Sequence, residues 1–219
     1  MSDSVGDGHG PLFDAALAAR WLTAVSAAVD QEADRLTELD SAIGDADHGG
    51  NLRRGFGAVV ASLQEESPGT PGAVLQLAGR RLVSTVGGAS GPLYGTLLRR
   101  AGKTLGETER ASWAEVAAAL RQGVEAVAQL GGAAAGDKTM LDALLPAVTA
   151  MEGAAARGAG AAAGAAADAA REGSEATVPL RARKGRASYL GERSIGHLDP
   201  GAASSALLLA ALAEVTGGE

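Results

Sequence analysis

Three aspartates lie close together in one short segment of the chain, Leu39–Asn51. Asp40, Asp45 and Asp47 fall within eight residues, and glycines lie on either side of the last two. Carboxylates so close together resist ionising unless a cation lies between them, and Mg²⁺ prefers oxygen ligands that it shares with substrate phosphates. The segment therefore predicts a metal site. The spacing alone leaves open a second interpretation, a solvated turn before a helix that starts near Asn51.

Two further segments have the composition of phosphate-binding loops. Val86–Leu93 is rich in glycine and leads into a helix for which Pro92 is the expected first residue. Free N–H groups at a helix N-terminus suit phosphate, and Ser90 adds a hydroxyl. Arg181–Arg186 is a basic cluster, and arginine pairs with phosphate oxygens through two hydrogen bonds. The alternatives are a tight connection between helices and a solvated loop.

Charge counting suggests that these segments form one site. Three carboxylates and a nucleoside diphosphate bring about −6, two Mg²⁺ ions return about +4, and basic groups could offset the remainder. This balance favours two metal ions that bridge phosphates. Gly131–Thr139 has a spacing close to that of a Walker A loop. However, an aspartate precedes its lysine and no strand comes before it, so we exclude a P-loop NTPase.

Composition narrows the functional class. The 219 residues carry a net charge of −7, which argues against a nucleic-acid partner. The absence of cysteine excludes disulfides, thiolate metal sites and cysteine nucleophiles. Met1–Gly10 lacks the apolar region of a signal peptide, and the longest apolar stretch, Ala206–Ala213, is too short to cross a bilayer. We expect a cytoplasmic protein without membrane contact, with a disordered tail over residues 1–10 and a single domain over 11–219.

Apolar residues recur at helical spacing along most of the chain, and no segment shows the alternation of a β-strand. Eight helices are predicted, the seventh over Ala154–Glu172 and the eighth over Ala203–Val215. Ser112 and Glu115 form a capping-box pattern at the start of the fifth. The predicted fold is all-α, an eight-helix antiparallel up-and-down barrel or bundle with the nucleotide site at one end, where alternate connections meet.

Four motifs occur in a fixed order: Leu39–Asn51, Val86–Gly95, Gly136–Asp142 and Ala182–Gly201. With these motifs the chain resembles the nucleotide-binding subunits of phosphoenolpyruvate-dependent dihydroxyacetone kinases. The resemblance implies an eight-helix barrel that binds ADP/ATP at one end through two Mg²⁺ ions.

The resemblance also implies a role for individual residues. Asp40, Asp45 and Asp47 match the metal ligands. Gly50 is a departure, because a larger residue is expected there. The positions that match nucleotide contacts are His48, Gly49, Gly50, Asn51, Ala89, Ser90, Gly131, Met140, Arg186, Asp199, Pro200 and Gly201.

The implied activity is phosphoryl transfer with ADP as a resident cofactor. A phosphotransferase subunit rephosphorylates ADP in place, and the γ-phosphoryl group then passes to dihydroxyacetone on a separate substrate-binding subunit. No covalent nucleophile is expected on this chain, because such transfer depends on positioning and charge neutralisation. Two alternatives stay open: a kinase subunit that takes ATP from solution and acts on a related triose or sugar alcohol, and a binding module that contacts a transcription regulator. A homodimer also stays open.

Overall fold

The computed structural model describes residues 12–217. Two short strands, β1 (Phe13–Asp14) and β2 (Arg110–Ala111), pair antiparallel, a pairing that the sequence pattern did not predict. The rest of the architecture is helical. The α-helices are α1 (Ala15–Ile43), α2 (His48–Glu66), α3 (Pro71–Thr85), α4 (Ser90–Leu105), α5 (Trp113–Gly131), α6 (Leu141–Ala154), α7 (Ala159–Glu175) and α8 (Pro200–Gly217).

The helices form a closed ring. Each packs against the next along the chain, and α8 returns to pack against α1. This arrangement confirms the predicted up-and-down barrel. Because successive helices run in opposite directions, the connections after α1, α3, α5 and α7 meet at one end. They comprise residues 44–47, 86–89, 132–140 and 176–199, and they contain the motifs singled out in the sequence.

Local signals explain where several helices begin. The Asp14 side chain accepts a hydrogen bond from the N–H of Leu17 and caps α1. The predicted capping box is confirmed at α5, where Ser112 Oγ accepts from the Glu115 N–H and the Glu115 carboxylate accepts from the Ser112 N–H. Such caps satisfy N–H groups that have no partner inside the helix.

The barrel wall is built from small side chains that allow close approach between helices. At Gly49 in α2, a Cβ atom would lie 1.9 Å from the carbonyl oxygen of Ala33 in α1. At Gly72 in α3, it would lie 2.3 Å from the carbonyl oxygen of Gly106, at the end of α4. Three aromatic rings pack together in the core, with Phe13 edge-on against Trp21 and Trp113.

Four predicted helix boundaries were wrong. Helix α2 begins at His48 instead of near Asn51, and α4 begins at Ser90, two residues before Pro92. The predicted seventh helix is broken at Gly158, whose φ of 97° is outside the helical region, so α7 starts after it. Helix α8 begins at Pro200, earlier than predicted, because proline is favourable in the first turn. The predicted tail over residues 1–10 lies outside the described residues.

Helix α8 meets the length and composition criteria for a membrane span over its 18 residues, Pro200–Gly217, with a mean hydropathy of 1.2. The run Ala206–Ala213, expected to be too short to cross a bilayer, lies within this helix. Half of the helix is buried, and it packs between α7 and α1 in the barrel wall. An apolar core helix passes the same criteria, so this finding is weak evidence for a membrane span.

Candidate functional site

A cavity of about 430 Å³ opens at the end of the barrel where the four connections meet. Residues from all four connections line it. Of the residues expected to bind metal or nucleotide, those that line the cavity are Asp40, Asp45, Asp47, His48, Ala89, Ser90, Gly131, Met140, Arg186, Asp199, Pro200 and Gly201.

The three aspartates converge at the connection between α1 and α2. Asp40 is buried in the last turn of α1, where its Oδ2 accepts hydrogen bonds from the N–H groups of Asp47 at 2.9 Å and His48 at 3.2 Å. Asp45 and Asp47 are exposed, and one carboxylate oxygen from each of the three residues lies within 4.8 Å of the others. A group of fixed oxygen donors at this separation suits a hard cation such as Mg²⁺.

Arg186 brings positive charge to this acidic turn. It belongs to the connection between α7 and α8, residues 176–199, which we call the basic loop. Gly185 turns the chain with a φ of 64°, and a 3₁₀ helix, Arg186–Ser194, follows. The guanidinium Nη2 lies 3.0 Å from Oδ2 of Asp45. The basic and acidic motifs, separated widely in sequence, therefore meet at the mouth of the cavity.

The N-terminus of α4 forms the opposite wall. Gly88 adopts a φ of 64° immediately before the helix, a conformation that glycine reaches without strain. Ala89 and Ser90 follow, and the first N–H groups of a helix have no partner within it. The Ser90 hydroxyl lies 3.1 Å from Nδ1 of His48. This wall has the donors that a phosphate group requires.

A buried polar network lies beneath the two walls. His48 Nε2 is 2.8 Å from Oγ of Ser204 in α8, and that hydroxyl is 2.7 Å from the hydroxyl of Tyr94 in α4. Burial lowers the pKa of His48, although the charges of Asp40 and Asp47 oppose the effect. Burial also raises the pKa of Tyr94 to about 12. The network therefore joins α2, α4 and α8 through buried polar side chains.

Asp199 forms the floor near the start of α8. Its Oδ2 accepts from the N–H of Ala202 at 2.8 Å, and its own N–H donates to Oγ1 of Thr177 at 3.0 Å. Burial raises the pKa of Asp199 to about 7, although the Ala202 hydrogen bond and the charge of Lys138 oppose the rise. This residue thus caps the helix whose first turn, with Pro200 and Gly201, lines the cavity.

Three residues expected to contact nucleotide lie outside the cavity lining: Gly49, Gly50 and Asn51. Gly49 packs against α1. Asn51 is buried, and its Oδ1 accepts a hydrogen bond from Arg54. A Cβ atom at Gly50 would meet nothing within 4 Å, so the structure has room for a Cβ atom at this position.

Some residues that line the cavity were not predicted. Lys138 belongs to Gly131–Thr139, the segment that was excluded as a Walker A loop. Its side chain is buried. Tyr94 reads in the sequence as an ordinary core residue of α4. Along one side the lining is apolar, which suits the flat face of a nucleobase. The apolar lining residues on this side include Leu93, Val127, Leu130, Met140 and Leu141.

Comparison with known proteins identifies the family of the chain. The DAK2 domain family matches residues 42–214. The ADP-binding subunit DhaL of the PEP-dependent dihydroxyacetone kinase of Escherichia coli K12 is 42% identical over 195 residues, which cover 88% of this chain and 93% of that subunit. The D-erythrulose kinase of Mycolicibacterium smegmatis is 41% identical over 205 residues, 91% of this chain but only 35% of that enzyme.

The fold is also similar to a solved structure. The dihydroxyacetone kinase of C. freundii, in complex with AMP-PNP and Mg²⁺, superposes with a TM-score of 0.70 at 29% identity. The match covers 98% of this chain and 36% of that enzyme, so this chain spans about a third of the longer protein. The chain belongs to the DAK2 domain family, and it is similar over most of its length to an ADP-binding subunit of PEP-dependent dihydroxyacetone kinase.

Proposed function

We propose that this chain is the nucleotide-carrying subunit of a phosphoenolpyruvate-dependent dihydroxyacetone kinase. It holds Mg-ADP, a phosphotransferase subunit rephosphorylates the nucleotide in place, and the γ-phosphoryl group passes to dihydroxyacetone on a separate subunit. The observation that carries the proposal is the convergence of the three aspartates, the N-terminus of α4 and Arg186 around one cavity. The similarity to the ADP-binding subunit of E. coli over 93% of its length supports it.

The residues present fit a metal-bound diphosphate. Asp40, Asp45 and Asp47 would hold two Mg²⁺ ions, which neutralise phosphate charge when bound. Asp40 is already oriented by two N–H donors, so its carboxylate needs no reorganisation to act as a ligand. Arg186 lies close enough to the acidic turn to offset the charge that remains. The donors of α4, with the Ser90 hydroxyl, face the same space.

The remaining lining residues would select and orient the nucleotide. The apolar side between α4, α5 and α6 suits the base, whereas the charged side between α1 and the basic loop suits the phosphates. No side chain in this arrangement needs to act as a nucleophile, since phosphoryl transfer requires mainly orientation and charge neutralisation. The buried imidazole of His48 lies within hydrogen-bond distance of the Ser90 hydroxyl and orients it.

A reconstitution assay tests this function. The purified chain is combined with a dihydroxyacetone-binding subunit and the phosphotransferase components. Phosphoenolpyruvate, Mg²⁺ and dihydroxyacetone are added without free ATP. We expect dihydroxyacetone phosphate to form continuously, with turnover proportional to the amount of this chain. Absence of product with phosphoenolpyruvate would contradict the proposal.

One observation favours a second candidate, a subunit that exchanges its nucleotide with ATP from solution and acts on a related ketose. The identity to the D-erythrulose kinase, 41%, is close to that to the E. coli subunit, 42%. Supplying ATP alone, with dihydroxyacetone and erythrulose as parallel acceptors, separates the two candidates. Turnover with ATP in the absence of phosphotransferase components would favour exchange.

Three further expectations belong to the same proposal. A cytoplasmic location agrees with a function that depends on soluble subunits. Contact with a transcription regulator and formation of a homodimer stay predictions, and both can be measured on the same preparation by pull-down and by light scattering.

A further inference from the structure

Lys138 is a buried lysine that belongs to neither the proposed metal ligands nor the proposed phosphate ligands. It lies in the connection between α5 and α6, and its side chain is only 1% exposed. The ammonium Nζ donates to the carbonyl oxygen of Thr177 at 2.6 Å and to the carbonyl oxygen of His197. Its hydrogen bonds therefore go to the backbone of a different connection, the basic loop.

The two carbonyls lie at opposite ends of the basic loop, so Lys138 joins the residues where that loop leaves α7 and where it returns to α8. Two further hydrogen bonds lie at the same place. The Gly196 N–H donates to the Val178 carbonyl at 2.8 Å, and the Asp199 N–H donates to Oγ1 of Thr177 at 3.0 Å. Together these contacts join residues 177–178 to residues 196–199, and we call this base of the loop the neck. The segment with Arg186 extends from the neck to the cavity.

The backbone of Lys138 indicates that this position does more than turn the chain. Its φ is 61°, in the left-handed region that residues with a Cβ atom rarely adopt. Glycine would reach this conformation without strain. A lysine in this conformation therefore destabilises the backbone locally. The same conformation directs its side chain inward, to the neck of the basic loop.

Electrostatics agree with a retained charge at this buried position. Burial lowers the pKa of Lys138, whereas the nearby charges of Asp199 and Asp142 oppose that effect. A buried ammonium is tolerated when hydrogen bonds replace its hydration, and two carbonyl acceptors do so here.

We propose that Lys138 is a positioning residue that clamps the two ends of the basic loop, and thereby keeps Arg186 at the acidic turn and Asp199 at the floor of the cavity. The consequence for nucleotide affinity rests on the proposed function. The clamp itself is a property of the nucleotide-free chain and can be tested without it.

The absence of cysteine from the sequence permits a chemical test. The Lys138→Cys variant is alkylated in denaturant and refolded. With 2-bromoethylamine the thiolate displaces bromide, and the product has an ammonium at about the length of lysine. With bromoethane the product keeps the same chain as far as the position of Cε and lacks the ammonium group. Lys103→Cys, at an exposed position of α4, is alkylated with bromoethane as the matched control.

The readout is cleavage of the nucleotide-free chain by an arginine-specific protease. The basic loop contains exposed arginines, among them Arg181, Arg183 and Arg193. We expect the ethylated Lys138→Cys chain to be cut in this loop at least about tenfold faster than the wild type, and the aminoethylated chain within about twofold of it. Arginines on the helices, such as Arg53 and Arg121, should show no comparable increase.

Nucleotide binding gives the second readout. We expect the ethylated Lys138→Cys chain to bind Mg-ADP about tenfold more weakly, as when a group that orients a ligand is removed, with recovery in the aminoethylated chain. If the wild type binds no Mg-ADP, the proposed function fails while the cleavage result still tests the clamp.

Two outcomes would overturn the proposal: loop cleavage of the ethylated chain at the rate of the Lys103 control, or equal acceleration at helix arginines, which would indicate general destabilisation. If the ethylated chain does not refold, Lys138→Gln takes its place, because it keeps an N–H donor on a shorter neutral side chain. Its loop cleavage should be faster than that of the wild type, and a rate equal to that of the wild type would also count against the clamp.

Discussion

Asp45→Asn should separate metal binding from folding. Asp45 lies in the exposed connection between α1 and α2, and it pairs with Arg186. The two side chains are 37% and 68% exposed, so solvent screens the pair, which contributes about 0–1 kcal/mol. The substitution keeps the shape of the side chain and removes one charge. For a chain of this size we expect the thermal midpoint without ligand to fall by no more than about 4 °C.

The expected effect on ligand binding is larger. At a Mg-ADP concentration of about 100 times Kd, the wild type gains about 2.7 kcal/mol of stability, which raises the midpoint by roughly 5–10 °C. Removal of a group that only orients a metal ligand weakens binding by up to about 100-fold. We therefore expect the removal of one of the three carboxylate ligands to weaken Mg-ADP binding about 100-fold. The same concentration then equals Kd, and the gain falls to about 0.4 kcal/mol, or about 1 °C.

The assay is thermal unfolding with and without Mg-ADP. Asp30→Asn is the matched control, because Asp30 forms a similar exposed pair with Arg53, 2.8 Å apart, and neither residue lines the cavity. The control should keep the full ligand-induced shift. If Asp45→Asn also keeps it, the assignment of the aspartates as metal ligands is wrong.

Other variants test packing and electrostatics. Gly49→Ala places a Cβ atom 1.9 Å from the Ala33 carbonyl oxygen and should lose about 1–3 kcal/mol in urea unfolding. Gly50→Ala, where the same atom meets nothing within 4 Å, should gain up to about 1 kcal/mol, and equal stability of the two variants would contradict the packing of α2 on α1. Because burial raises the pKa of Asp199 to about 7, the folded state holds its proton more tightly than the unfolded chain. The stability that Asp199 contributes should therefore decline as pH rises from about 4 to about 7, so the wild type should lose stability relative to Asp199→Asn over that range; a constant difference between the two would argue against the burial of this carboxyl.

The barrel and the meeting of the four loops could be predicted from the sequence, because each depends on local signals. Apolar residues at helical spacing mark the helices, and Ser112 with Glu115 marks the start of α5. Once eight helices alternate in direction, the topology places motifs such as Leu39–Asn51 and Val86–Gly95 at the same end. These predictions needed no knowledge of side-chain contacts.

The contacts beneath the site could not be predicted in this way. Lys138 is 39 residues from Thr177 and 59 from His197, and only the folded chain shows that its ammonium lies between their carbonyls. The same holds for the network from His48 to Tyr94 through Ser204, which joins three helices. The break before α7 depends on the conformation of a single glycine, Gly158, within a run of alanines and glycines that favours a continuous helix.

Whether this chain carries a resident nucleotide can be measured from the nucleotide content of the purified protein. The protein is denatured without added nucleotide, and the supernatant is separated by anion-exchange chromatography. We expect adenine nucleotide in about equimolar amount, mainly ADP, with Mg²⁺ released at the same time. The absence of adenine nucleotide, together with no change in thermal midpoint when Mg-ADP is added back, would contradict the proposed function.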